Sequence, residues 1–233
     1  MTTSGKEHVL HRLAGKPDGA RPYASLINIS GTLYGTTEAG GAGSCTLRGI
    51  SGCGTVFTIA TSGAEKVLYS FKDGPGDGQY PTQAGLLNVN GTLYGTTSNG
   101  GSGSCKHGCG TVFSIATSGK ETVLHSFGGS GDGRYPYGGL VDVNGTLYGT
   151  TSNCCYGPCL RYRDAHRCGT VFSITPSGTE TILYSFGGSE NGRFPYASLI
   201  NVSGRLYSTT TSGGANGFGP GSVGDGTVFS IAP

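Results

Sequence analysis

The chain has 233 residues, long enough for one good-sized domain, and Gly 46 and Tyr 13 against Trp 0 and Met 1 exclude a large helical core. Lys+Arg 15 against Asp+Glu 13 leaves a formal charge of +2, too weak a field to collect a polyanion, so no nucleic-acid partner is expected. No apolar run approaches the roughly 20 residues needed to cross a bilayer, which argues against membrane insertion.

Met1-Thr-Thr-Ser-Gly lacks the charged and apolar regions of a signal peptide, while eight cysteines crowd the Gly-rich loops between residues 45 and 168. Cysteine usage of that kind points to disulfides made in an oxidising compartment. We therefore expect a secreted or cell-surface domain whose leader peptide is not part of this sequence.

In chain order, a first unit predicts strands at Ala24–Ile29, Thr32–Thr36, Thr55–Ala60 and Glu65–Phe71, each alternating or β-branched and bounded by Gly, Asn, Asp or Pro. The second of these lies in Gly31-Thr-Leu-Tyr-Gly-Thr-Thr37, which returns at 91–97, at 145–151 and, degenerate, at Gly204-Arg-Leu-Tyr-Ser-Thr-Thr210. The third opens Gly-Thr-Val-Phe at 54–57, repeated at 110–113, 169–172 and 226–229. Four units of four strands predict an all-β, four-bladed β-propeller, a single domain over 1–233 with blades near 14–71, 72–127, 128–186 and 187–233 plus 1–13. The chain ends on a third strand, and residues 3–13 read as the missing fourth, so closure by pairing of the N-terminal strand with the C-terminal blade is expected. That would remove the open edges. Small pairs at Ala24-Ser25, Ala84-Gly85, Gly138-Gly139 and Ala197-Ser198 suit a crowded axis. A fragment of a longer array, or half of an eight-bladed ring made by two chains, is the alternative; a monomer is the primary expectation.

These motifs, with the Asp-Gly turn and proline and the Leu-His-Ser-Phe run at Leu124–Phe127, resemble the GloVer repeat of bacterial exported tandem-repeat proteins over nearly the whole chain. The resemblance implies a surface or secreted propeller-like protein, often with a separate anchor, and no settled activity. This chain departs from the pattern by carrying cysteine-bearing loops and no anchor.

Tight turns join the first strand to the second and the third to the fourth, so the two long links of each unit belong on the opposite face, where a site is expected. Cysteines precede three Gly-Thr-Val-Phe blocks, with a partner earlier in each loop, giving expected bonds Cys45–Cys53, Cys105–Cys109 and Cys159–Cys168. Cys105-Lys-His107-Gly-Cys109 is a weak zinc signal with no fourth ligand, and neither metal nor cofactor is expected. Cys154 and Cys155 are adjacent and left over, either a vicinal disulfide or a pair of free or intermolecular thiols.

The third long loop holds Arg161, Tyr162, Arg163, Asp164, His166 and Arg167 within one staple. Arginines clamp carboxylates, and a tyrosine or histidine can move a proton. The residues after four loop prolines are Tyr23, Thr82, Tyr137 and Tyr196, and tyrosines around an opening form a stacking surface for a flat ligand. His11 and His125 stand where Tyr69 and Tyr184 stand in other units and read as strand residues. Asn28, Asn90, Asn144 and Asn201 head Asn-X-Ser/Thr triplets but belong to turns.

The leading functional expectation is a binding module for carbohydrate or a similar small molecule, using Tyr23, Tyr137, Tyr196, Arg161 and Arg167. One alternative is a lyase or hydrolase of an acidic polysaccharide, with Tyr162, His166 and Arg163 in catalysis; another is a structural surface protein that binds a second protein. No paired carboxylates, nucleophile elbow or nucleotide loop appears, so the balance leans away from an enzyme.

Overall fold

The computed structural model describes residues 5–129, 131–154, 168–187, 191–214 and 224–233, and Asp164 and its neighbours in the third long loop lie outside these. The described residues form strands and turns with no helix, and so none that is long and apolar enough to cross a membrane. Three repeat units each give an antiparallel sheet of four consecutive strands: Ile27–Ile29, Thr32–Thr37, Thr55–Ala60 and Glu65–Ser70 in the first; Leu87–Val89, Thr92–Gly100, Thr111–Ala116 and Glu121–Ser126 in the second; Val141–Val143, Thr146–Thr151, Thr170–Ile174 and Glu180–Ser185 in the third. Among the described residues the fourth unit has three, Ile200–Val202, Arg205–Thr210 and Thr227–Ile231.

The repeated motifs are explained by what meets across each sheet. Gly95 lies opposite Phe113, and a Cβ there would fall 2.5 Å from the ring, so the central glycine of Gly-Thr-Leu-Tyr-Gly-Thr-Thr makes room for the phenylalanine of Gly-Thr-Val-Phe. The same fit recurs at Gly35 with Phe57 and Gly149 with Phe172. The last threonine of the first motif and the threonine of the second share a hydroxyl contact, Thr37–Thr55, Thr97–Thr111, Thr151–Thr170 and Thr210–Thr227, and both partners are buried in the first three pairs, while Thr227 is half-buried in the fourth. A buried hydroxyl requires a partner, and each unit supplies it from its own sheet.

Two-residue turns connect first and second strands. Ser30, Asn90, Asn144 and Ser203 take the left-handed conformation ahead of a glycine that also does, as the twist of a tight hairpin demands. The first strands are shorter than predicted because the small pairs leave the ladder and bond between units: the Gly139 amide donates to Ser198 Oγ at 2.8 Å, and Thr150 Oγ1 donates to the Ala197 carbonyl at 3.1 Å.

Units pack through a phenylalanine just past the fourth strand of one and a phenylalanine on the third strand of the next. Phe71–Phe113, Phe127–Phe172 and Phe186–Phe229 each have centroids 5.1 Å apart, edge to face, so the three junctions share one geometry. Among the described residues the expected pairing of the N-terminal segment with the C-terminal strand is not seen: residues 5–14 are in no strand, and Thr227–Ile231 pairs with Arg205–Thr210 alone.

Candidate functional site

The two long links of each unit meet on one face. Gly19–Ala20 pairs with Ala39–Gly40, Gly78–Pro81 with Thr92–Gly100, Gly133–Arg134 with Asn153–Cys154, and Gly192–Arg193 with Ser212–Gly213. Beneath them, Cys45–Cys53 and Cys105–Cys109 are disulfide-bonded, and Cys168 is buried and disulfide-bonded. With its thiols joined, the Cys105–Cys109 loop has no thiolate to offer a metal.

Each preceding cysteine orients an aromatic residue of the next unit. The Tyr80 amide donates to the Cys53 carbonyl at 2.8 Å, Tyr135 to Cys109 at 2.7 Å and Phe194 to Cys168 at 3.2 Å. All three aromatics, like Arg21, are left-handed non-glycine residues directly before proline. That backbone costs a bulky residue about 1–2 kcal/mol each, and the inter-unit hydrogen bond holds it there. The proline then covers a glycine of the previous unit: Pro81 on Gly54, Pro136 on Gly110 and Pro195 on Gly169.

This conformation sets the direction of the next-but-one residue. Tyr137 and Tyr196, 39% and 45% exposed, have ring centroids 5.4 Å apart at a 46° tilt, and Phe194 stacks on Tyr196 at 6.4 Å and 20°. The two tyrosines wall a cleft of about 500 Å³ with Gln83, Ala84, Ala197 and Ser198. On their other side they wall a second cleft of about 240 Å³ with Tyr135, Ser152, Asn153 and Phe194. Burial, with Tyr196 and Tyr135 adding to it, pushes the Tyr137 phenol above its ordinary range, so at neutral pH it is a neutral hydroxyl able to donate and accept. Two exposed, tilted aromatic faces with hydroxyl and amide groups beside them suit a flat, hydroxyl-rich ligand.

Of the tyrosines expected at this opening, the structure thus brings together Tyr137 and Tyr196. Tyr23 is 52% exposed and makes no ring contact among the described residues. Arg161, Tyr162, Arg163, His166 and Arg167 lie outside the described residues, as do Cys155, Cys159 and the side chain of Cys154. Sequence reasoning missed Tyr135 and Phe194 by treating their loops as plain turns; an aromatic residue before proline in successive repeats was the available signal.

A second recurring arrangement sits between units. His11 Nε2 lies 3.1 Å from Asp18 Oδ2 with Glu65 close by, and His125 Nε2 lies 3.0 Å from Asp132 Oδ2 with Glu180 close by. The second junction replaces histidine with tyrosine, Tyr69 donating to Asp77 at 2.7 Å beside Glu121. Each trio of His, Asp and Glu could surround a metal. However, the Asp132 oxygens already accept the amides of Gly128, Gly129 and Gly133, and the tyrosine version holds the same junction without a histidine. The His11–Asp18, His125–Asp132 and Tyr69–Asp77 pairs therefore read as hydrogen-bonded locks, with Glu65, Glu121 and Glu180 packed beside them, each with one buried carboxyl oxygen that accepts no hydrogen bond among the described residues. Burial, then the neighbouring aspartate, pushes the Glu121 and Glu180 carboxyls up to about 7. For Asp18 burial acts upward, but the Ala14 and Gly19 amides and His11 outweigh it and hold the carboxyl below its ordinary range.

Residues 1–157 match the family described as the Gloeobacter/Verrucomicrobia repeat. No curated protein matches the sequence. Among solved structures, the chain is similar to a luciferin-regenerating enzyme at 15% identity and TM-score 0.48, covering 87% of this chain and 58% of that one. It is also similar to a chain in a complex of S. cerevisiae Dbp5 with Nup159 and Gle1, at 11% identity and TM-score 0.45, covering 89% and 44%. The chain thus spans about half the length of these solved chains, and likenesses of this size carry no functional argument.

Proposed function

The chain belongs to the Gloeobacter/Verrucomicrobia repeat family, and from that premise we propose that it is a secreted or surface β-propeller module that binds carbohydrate on its long-loop face. The four repeat units are its blades. The observation that carries the reading is the Tyr137–Tyr196 pair, exposed and tilted over a cleft of about 500 Å³. Sugar rings present apolar C–H faces to such aromatics, and the Gln83 and Ser198 side chains at the cleft wall supply hydrogen-bonding partners for hydroxyls. The disulfides at Cys45–Cys53, Cys105–Cys109 and Cys168 favour an oxidising, extracellular setting. Repeated weak sites would gain strength by avidity on a polymer.

The test is retention of the protein on a panel of immobilised neutral and acidic polysaccharides, with polymer size followed in parallel. Retention with polymers intact is the expected result. Shortened polymers would transfer the function to the enzyme reading, with Tyr162, Arg163 and His166 as the first residues to replace. A protein that neither binds nor cuts any member would overturn both.

A further inference from the structure

The two ends of the chain present the two halves of a junction that is formed three times inside it. At the C-terminal end, Val228 is 82% exposed where Val56, Val112 and Val171 are wholly buried. Gly226 lacks the proline that covers Gly54, Gly110 and Gly169. A cavity of about 370 Å³ opens there against Tyr184, Phe186, Asn191, Val228 and Phe229. At the N-terminal end, Pro22 is exposed where Pro81, Pro136 and Pro195 are buried, and Leu26 is 47% exposed where Leu86, Leu140 and Leu199 are buried.

Residues 7–13 supply the missing strand. Glu7-His-Val-Leu-His-Arg-Leu13 repeats the pattern of Glu65–Phe71 and Glu121–Phe127. The segment already sits against the first unit as a fourth strand does: a Cβ on Gly63 would fall 2.6 Å from the Leu10 carbonyl, as Gly119 meets Leu68 and Gly178 meets Leu124 at 2.7 Å. His11 bonds Asp18 as His125 bonds Asp132. Yet among the described residues this segment forms no ladder with Thr227–Ile231, whose one paired neighbour is Arg205–Thr210.

We propose that a second copy of this chain closes the ring. Each copy lays its Glu7–Leu13 strand along the open edge of the other's Thr227–Ile231, giving eight blades with two identical head-to-tail interfaces. Head-to-tail contacts produce either closed rings or open fibres, and eight is within the usual range of propeller blades. The partner's Glu7 then enters the cavity beside Tyr184 and Asn191, completing a fourth junction trio, and the partner's Pro22 covers Gly226. The site gains as well. The partner's Tyr23 stands next to Tyr196 as Tyr196 stands next to Tyr137, so three tyrosines run together across the interface. This replaces the single-chain closure expected from the sequence. It rests on the blade reading and is independent of what the face binds.

Light scattering on the eluting wild-type protein at tens of micromolar tests it, with a mass of two chains as the expected result. A one-chain mass overturns the proposal in favour of closure within the chain, and open-ended growth overturns it in favour of a non-closing polymer. Val228→Asp should halve the mass while preserving the β-type circular dichroism, since Val228 supports no core within one chain. A variant lacking residues 1–13 removes the donor strand instead and must also run as one chain. Two-chain masses for both variants would refute the interface.

Discussion

Replacing Thr97 by valine keeps the shape of the side chain and removes one oxygen that three groups depend on. Thr97 Oγ1 donates to the Asn99 carbonyl at 2.8 Å, accepts the Thr111 hydroxyl at 2.8 Å and accepts the Thr111 amide at 3.2 Å, and both threonines are fully buried. Each buried group left unpaired costs about 1–3 kcal/mol, so with partial relaxation Thr97→Val should cost about 3 kcal/mol. For a chain of this size that lowers Tm by about 6–12 °C. Thr111→Val removes only a donor and should cost about 1 kcal/mol. In the double variant the orphaned Thr111 hydroxyl is gone, so the combined loss should fall short of the sum by about 1 kcal/mol. Urea denaturation of the four proteins measures this. A Thr97→Val loss under about 0.5 kcal/mol, or strict additivity, would refute the hydroxyl network as the reason the two motifs pair threonines.

Glu121 and Glu180, with carboxyls raised to about 7 from 4.5, are protonated in the fold at pH values where the unfolded chain has lost those protons. Their contribution is full below about pH 4.5 and is lost as pH rises through 7. Allowing for partial exposure, each should cost about 1–2 kcal/mol at pH 8 relative to pH 5, and Glu121→Gln with Glu180→Gln should flatten that slope in denaturation curves. His125→Tyr imitates Tyr69 and should change stability by less than about 1 kcal/mol, with no response to chelators; a chelator-sensitive melting point in the wild type would instead make the trios metal sites. Reduction of Cys45–Cys53 should cost about 2 kcal/mol, as expected for a short loop, and open the 45–53 loop to proteolysis before the sheets unfold.

The repeat, the strand pattern, the tight turns and the shared face of the long links were legible because each is set by residues close in sequence. Gly91 follows Asn90 in a hairpin, and Cys53 precedes its Gly-Thr-Val-Phe block, so spacing alone identifies them. The junctions were less legible. His125, Asp132 and Glu180 converge only once two units pack, and His125 alone looks like any strand residue. The left-handed Tyr135 and Phe194 escaped notice because an aromatic before proline has no reason to adopt that conformation until a neighbouring cysteine carbonyl holds its amide. How the ends pair was not legible for a related reason. The pattern of Glu7–Leu13 identifies a fourth strand, but it does not contain the rotation between units that decides which chain the strand reaches.

The most direct test of the central claim is the affinity of wild type, Tyr137→Ala and Tyr196→Ala for whichever polysaccharide retains the protein, measured by affinity electrophoresis or calorimetry. Losing one stacking face should cost about 1–2 kcal/mol, so each variant should bind about tenfold more weakly while keeping the wild-type melting point. Unchanged affinity in both variants would contradict the account and move the binding site away from the paired tyrosines.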